Sequence, residues 1–194
     1  MRPLLKRIAL FGGTFNPIHI GHLVMAQMAQ EKFDLDKIIF VPSYLPPHKQ
    51  AHSLAAAKHR YRMVERCIQG HPQFGVSDYE IKKKGKSFTI DTVQHIFSRY
   101  QKEAKLFFII GEDSLRQLPQ WHKIQDILKM VTFLVVNRPG YQHRRDGGKY
   151  RTVAMPGLDL SSSYLRGRVK AGKSIKYLVP EEVIRYIEKH QLYK

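Results

Sequence analysis

The chain has 194 residues and 22.6 kDa, with 43% hydrophobic and 25% charged residues; this suits one domain with a substantial core and excludes wholesale disorder or a collagen-like repeat. A single cysteine, Cys67, excludes an internal disulfide framework and any multi-cysteine zinc site. Lys and Arg total 33 against 16 Asp and Glu, for a net charge of +17; both halves carry the excess (+7 over residues 1–97, +10 over 98–194), so no basic tail stands out as a nucleic-acid arm.

In chain order, Arg7–Phe11 reads as a short strand ended by Gly12 and Gly13, and Ile20–Phe33 as a helix. Lys37–Val41 is a strand stopped by Pro42, and residues 43–57 a loop. Helical spacing returns at Lys58–Gln69. Phe74–Ile81 is expected to be a strand followed by a basic turn, and Thr89–Tyr100 a helix. Leu106–Ile110 and Val131–Val136 are unbroken apolar runs, as in strands buried on both faces. Glu112–Met130 between them holds one or two helices. Residues 138–150 form a polar, glycine-containing loop, Thr152–Ala154 a weak strand, and Ser162–Ala171 and Pro180–His190 closing helices. No apolar run approaches the ~20 residues a spanning helix needs, and a cytoplasmic chain is expected. Strands alternating with helices predict an α/β fold with a parallel sheet, whose ligands sit at the carboxyl ends of the strands.

The strongest chemical signal is Gly12-Gly13-Thr14-Phe15-Asn16-Pro17-Ile18-His19-Ile20-Gly21-His22, between a predicted strand and a predicted helix. It is neither a dinucleotide fingerprint nor a P-loop. Its physics is still that of phosphate binding. Glycines allow close backbone approach, a helix N-terminus offers N–H donors and a positive dipole end, and His19 and His22, three apart, share a helix face with Gly21 leaving room between them. A lone histidine at a helix start is usually a surface or core residue; a pair in HxGH after a glycine turn points to phosphate contacts. Near the other end, Ser161-Ser162-Ser163-Tyr164-Leu165-Arg166 sets serine hydroxyls, helix N–H groups and one guanidinium at a helix start, the parts of a triphosphate clamp.

The first segment resembles the (H/T)xGH signature of the nucleotidylyltransferase superfamily, and the second its ISSTxIR motif, with departures at Ser163 and Leu165. Asn16 stands where the family usually has Asp. Pro46-Pro47-His48-Lys49, Ser87-Phe88-Thr89-Ile90-Asp91-Thr92, Gly111-Glu112-Asp113, Leu118-Pro119-Gln120-Trp121-His122 and Arg138-Pro139-Gly140 are similar to landmarks of bacterial nicotinate-nucleotide adenylyltransferases, over about Arg7 to Tyr193. The resemblance implies a Rossmann-like, doubly wound parallel sheet with helices on both faces, forming a single domain over 1–194 with a C-terminal helical subdomain at about 161–194.

It also implies a reaction: transfer of the adenylyl group of ATP to nicotinate mononucleotide, releasing pyrophosphate, with Mg²⁺ carried by ATP. His19, His22 and Arg166 are then the catalytic candidates. ATP contacts fall on Gly12, Gly13, Thr14, Phe15, His19, Gly21, His22, Gly111, Asp113, Ser161, Ser162 and Arg166. Substrate contacts fall on His48, Lys49, Thr89, Trp121, His122 and Arg138. Trp121, the one tryptophan, is ordinarily a core anchor; its setting makes it a stacking platform for the pyridine ring. His122 stands where Tyr is common. Partners are expected to be the two nucleotides, with no membrane and no specific nucleic acid; a homo-oligomer is compatible with this. Two rival readings are an adenylyltransferase for another phosphate, such as nicotinamide mononucleotide, and a non-enzymatic nucleic-acid module suggested by the charge, against which no RRM, KH or zinc signature is present.

Overall fold

The computed structural model describes residues 5–47, 54–100, 103–137 and 148–194. Its strands are β1 (Lys6–Gly13), β2 (Lys37–Pro42), β3 (Phe74–Val76), β4 (Ala104–Gly111), β5 (Thr132–Asn137) and β6 (Tyr150–Ala154). Its helices are α1 (Ile20–Phe33), α2 (Ala57–Cys67), α3 (Tyr79–Lys83), α4 (Thr89–Tyr100), α5 (Glu112–Gln117), α6 (Ile124–Met130), α7 (Ser162–Lys170) and α8 (Glu181–Lys189). All six strands are parallel, in the order β3-β2-β1-β4-β5-β6. This is the doubly wound arrangement expected, with helices on both faces.

Alternate residues of each strand feed two apolar layers. Ile8, Leu10, Phe108, Ile110, Phe133 and Val135 pack with Ile90, Val93 and Ile127 of α4 and α6. Ala9, Phe11, Phe107, Ile109, Leu134 and Val136 pack with α1 and α2. Leu165, Val183 and Ile187 bring α7 and α8 into this second layer. Burial on both faces explains the unbroken apolar runs. In α8, Glu181 and Glu182 lie in the first turn and Lys189 in the last, each favourable against the helix dipole.

The strand order reverses between β1 and β4. There β1 stays paired with β2 as far as Gly13↔Pro42, whereas its pairing with β4 stops at Leu10↔Phe108. The two strands part beyond that point and a crevice opens at their carboxyl ends, the switch point of such sheets.

Two expectations are corrected, and the choice left open over residues 112–130 is settled as two helices. Gly12 and Gly13 do not end β1 but continue it. The strand expected over Phe74–Ile81 stops at Val76, and Tyr79–Lys83 is helical. There Glu80 is buried, Lys82 pairs with Asp78 at 2.7 Å across one helical turn, and Lys83 reaches Asp91 of α4 at 2.8 Å. Residues 112–130 hold two helices separated by a 3₁₀ turn at Leu118–Gln120, where Pro119 cannot continue an α-helical ladder. Most of the loop expected at 138–150 lies outside the described residues.

Candidate active site

The turn after β1 is built around aromatic rings. A Cβ on Gly12 would lie 2.9 Å from Cζ of Phe108, and one on Gly13 would lie 2.8 Å from Cζ of Phe15. The rings demand glycine here, whether or not a ligand does. Phe15 is 2% exposed and adopts the left-handed region (φ 47°), so the chain reverses at this ring. It leaves through a cis Asn16–Pro17 bond toward His19, which caps α1.

The two histidines stack, with ring centroids 3.8 Å apart and 32° between planes. Nδ1 of His22 accepts the backbone N–H of His19 at 3.2 Å. In neutral His22 the proton is therefore on Nε2, which makes that edge a donor. The ring also meets Phe15 edge-on at 5.1 Å. The helix end itself is less open than the sequence suggested. The Ile20 N–H bonds to the Leu178 carbonyl at 3.1 Å and the His22 N–H to the His19 carbonyl at 2.9 Å. With the His19 N–H also engaged, the imidazoles rather than a row of open amides face the cleft.

Gly21 leaves room for His19 rather than for the space between the rings: a Cβ there would sit 3.0 Å from its Nδ1 and 3.1 Å from its Cε1. Gly21→Ala is expected to displace that imidazole and lower turnover about tenfold or more, as misplacements of under an ångström at reacting groups do. Its thermal midpoint should hold, since alanine favours the helix. Steady-state rates beside a melting curve check this, and full activity would mean the ring has space to yield.

Two clefts open at the switch point. The larger, about 460 Å³, is lined by Gly12, Gly13, Phe15, Ser87, Phe88, Thr89, Thr92, Trp121 and His122 among others. The smaller, about 280 Å³, is lined by Asn16, His19, Gly21, Glu112, Asp113, Leu160, Ser161–Ser163 and Arg166 among others. Thr14, His22, Met25 and Gly111 line both and form their shared wall. Gly12, Gly13 and Phe15, expected with ATP, therefore face the cleft of the pyridine candidates. The reason is that β1 runs on through both glycines, and the chain turns toward α7 only at Thr14–Asn16.

The α7 start is anchored to this turn. Ser162 Oγ donates to the Pro17 carbonyl at 2.8 Å, and Ser161 Oγ accepts the Tyr164 N–H at 3.2 Å as the helix cap. The Ser162 O–H is thus spent inside the protein, whereas Ser161, an acceptor in its cap, keeps its O–H as a donor to an anion beside the backbone N–H groups of the helix start. Arg166 Nη1 donates to the Asn16 carbonyl at 3.0 Å and Nη2 to Ser163 Oγ at 3.2 Å, which uses two of the five guanidinium N–H bonds.

In the larger cleft Trp121 is half-buried, its ring edge-on to Phe108 (5.9 Å) and Phe133 (6.1 Å). These rings hold it upright while it lines the cavity. His122 packs on Phe88 at 5.1 Å, so an imidazole fills the ring-packing position. Thr89 opens α4. The hydroxyl of Thr92 donates to buried Glu80, whose pKa burial raises. His48, Lys49 and Arg138 lie outside the described residues.

Sequence reasoning missed Arg60. It is 1% exposed and donates to four carbonyls: Ala55 (2.8 Å), Thr14 (2.8 Å), Ser43 (2.6 Å) and Tyr44 (2.8 Å). Burial lowers its pKa to about 10, so it remains charged at neutral pH. One guanidinium thus ties the β1 turn to the segment after β2, whose Tyr44 N–H in turn meets Ser87 Oγ at 2.9 Å. An arginine among Lys58-His59-Arg60-Tyr61-Arg62 reads as a solvated helix face. The available hint was its place one turn from Met63 and Val64 on the buried side.

Among the described residues no group of three or more His, Cys, Asp or Glu side chains is gathered to hold a metal ion, and no helix is long and apolar enough to cross a membrane.

A family model described as cytidylyltransferase-like matches residues 10–168. A protein of Bacillus pumilus named as a probable nicotinate-nucleotide adenylyltransferase is 41% identical over 192 residues, which cover 98% of this chain and 100% of that protein. One of the same name from Exiguobacterium sibiricum is 43% identical over 188 residues, covering 96% and 98%. A solved structure of Plasmodium falciparum nicotinic acid mononucleotide adenylyltransferase complexed with APC has a TM-score of 0.78 at 21% identity, with 97% of each chain covered, a likeness of fold.

Proposed function

This chain belongs to the cytidylyltransferase-like family, and we propose that it transfers the adenylyl group of ATP to nicotinate mononucleotide, giving nicotinate adenine dinucleotide and pyrophosphate. The observation that carries the reading is the shared wall: two clefts, one aromatic and one lined by histidine, serine and arginine, meet at His22. A reaction that joins two nucleotides through a phosphate needs that arrangement.

The attacking group is a phosphate monoester with a second pKa of about 6, mostly dianionic near neutrality. It needs no general base. Its oxygen forms a bond to the α-phosphorus of ATP, the α–β anhydride bond breaks, and pyrophosphate leaves with the electron pair. The protein's task is to align two anions and to stabilise charge as it shifts onto the leaving group. In this reading the donor edge of His22 meets the α-phosphate, His19 supports it, and the α7 amides with Arg166 hold the outgoing phosphates. Asp113 is the nucleotide-contact candidate at the start of α5. The divalent ion enters as part of the nucleotide substrate, and Mg²⁺ fits that role.

The pyridine ring is assigned to the larger cleft, on Trp121. Its carboxylate is assigned to the backbone donors of Thr89, at the positive end of α4, and of His122. A carboxylate asks only for donors, whereas a carboxamide asks for an acceptor as well. His48, Lys49 and Arg138 are assigned to the phosphate of that nucleotide. Trp121→Ala is expected to raise KM for the pyridine nucleotide about tenfold or more, with KM for ATP unchanged; equal KM values in mutant and parent would remove the stacking role.

The deciding assay is pyrophosphate release with MgATP, offering nicotinate and nicotinamide mononucleotides in parallel. Strong preference for the acid is expected. Preference for the amide would overturn the assignment around Thr89 and Trp121, and turnover of neither would overturn the reaction.

A further inference from the structure

The last turn of the chain reaches Asn16, a residue that lines the smaller cleft. After α8 the backbone passes through left-handed geometry at Gln191 (φ 54°) and Tyr193 (φ 66°), and the Leu192 N–H bonds back to the Ile187 carbonyl at 3.0 Å. This hook turns the Tyr193 side chain inward, where its hydroxyl donates to Asn16 Oδ1 at 2.9 Å, across 177 positions of sequence. The same oxygen accepts the Ala55 N–H at 3.1 Å. Asn16 is 2% exposed, so both bonds form away from competing water.

Asn16 is also the residue on which Arg166 rests. Its backbone carbonyl receives Nη1 of that guanidinium at 3.0 Å, and the next carbonyl, that of Pro17, receives Ser162 Oγ at 2.8 Å. The side chain of one buried residue is therefore held by the tail, while its main chain holds the arginine and, one residue on, the α7 start. We infer that Tyr193 is a positioning residue for the nucleotide side of the site, acting through Asn16 on Arg166; this rests on the adenylyltransferase reading above. Burial keeps the phenol protonated, so it stays a donor. The role asked of Asn16 is that of a double acceptor. A carboxylate meets that demand equally, which accounts for Asn standing here where the resemblance leads one to expect Asp.

A hydroxyl that merely satisfied a buried acceptor would affect stability alone. A positioning hydroxyl affects ATP and spares the other substrate. Tyr193→Phe, which keeps the ring, is expected to raise KM for ATP three- to tenfold, to leave KM for the pyridine nucleotide within twofold, and to retain a cooperative melting transition. In an Asn16→Asp background the same penalty should persist, and in an Asn16→Ala background Tyr193→Phe should add nothing. Equal penalties in all three backgrounds, two KM values that move together, or a variant that does not fold would overturn the inference. Calorimetric binding of a non-hydrolysable ATP analogue separates this from the functional reading. Weaker binding by Tyr193→Phe in a chain that turns over neither pyridine nucleotide upholds the tail's role and defeats the reaction. Unchanged binding in an active enzyme does the opposite.

Discussion

His22→Ala is expected to lower turnover by about 10²- to 10³-fold, the usual effect of removing one donor aimed at developing charge. The residue lines both clefts, which under the proposed reaction places it beside the phosphate being joined. Its Nδ1 is held by the His19 N–H, which leaves Nε2 as the donor edge, and its ring is fixed between His19 and Phe15. Little of this is needed for folding. The imidazole is half-buried, and what the variant loses is a capping acceptor, about 1 kcal/mol and a few degrees of melting temperature. Single-turnover rates with saturating nucleotides, read beside a melting curve, separate the two effects. Near-parent turnover would strip His22 of a chemical role, and a collapse of the transition would make it a structural residue.

Arg60→Ala is expected to do the reverse, with stability falling first and activity with it. The substitution removes a fully buried side chain and leaves the carbonyls of Thr14, Ser43, Tyr44 and Ala55 without their donor. An acceptor orphaned in a buried setting, as at Ser43, costs about 1–3 kcal/mol, and the part-buried ones at Thr14, Tyr44 and Ala55 cost less because water can reach them. A net loss of about 3–5 kcal/mol follows, or roughly 10 °C or more in the midpoint for a chain of this size. Arg60→Lys should recover little of it, since an ammonium cannot serve four carbonyls spread around a planar fork. Thermal and urea unfolding of both variants test this. A midpoint within about 2 °C of the parent for the alanine variant would show that water replaces the guanidinium at no cost.

The elements that carry site residues were the most legible ones. Ile20–Phe33 and Thr89–Tyr100 are helices with the bounds expected: the first follows the glycine turn and is rich in helix formers rather than striped, and the second carries a clear apolar stripe. The buried strands announced themselves as apolar runs. Tyr79–Lys83 was not legible: five residues rich in charge carry too little periodicity, and its helix is stabilised by side-chain contacts of Glu80 and Lys83 with the next helix, α4, rather than by a pattern of its own. In the site, the His19–His22 pair and the serine–arginine segment could be read because their spacing is local. The division of the glycine turn between two clefts could not, because it depends on how far β1 stays beside β4. Arg60 and Tyr193 act through carbonyls and an amide far away in sequence, and local patterning holds no record of such partners.

The wall shared by the two clefts has a consequence for affinity. A molecule occupying both sides pays the loss of translational and rotational freedom once, while its second half binds at an effective concentration fixed by the tether. The joined dinucleotide is such a molecule, and the two separate nucleotides are not. A non-reactive mimic that links a pyridine nucleotide to adenosine across the position of His22 should therefore bind more tightly by about 10²–10⁴-fold than either half alone, with no contact that the halves lack. Under the proposed reaction the dinucleotide product has the same connectivity and is expected to compete with both nucleotides.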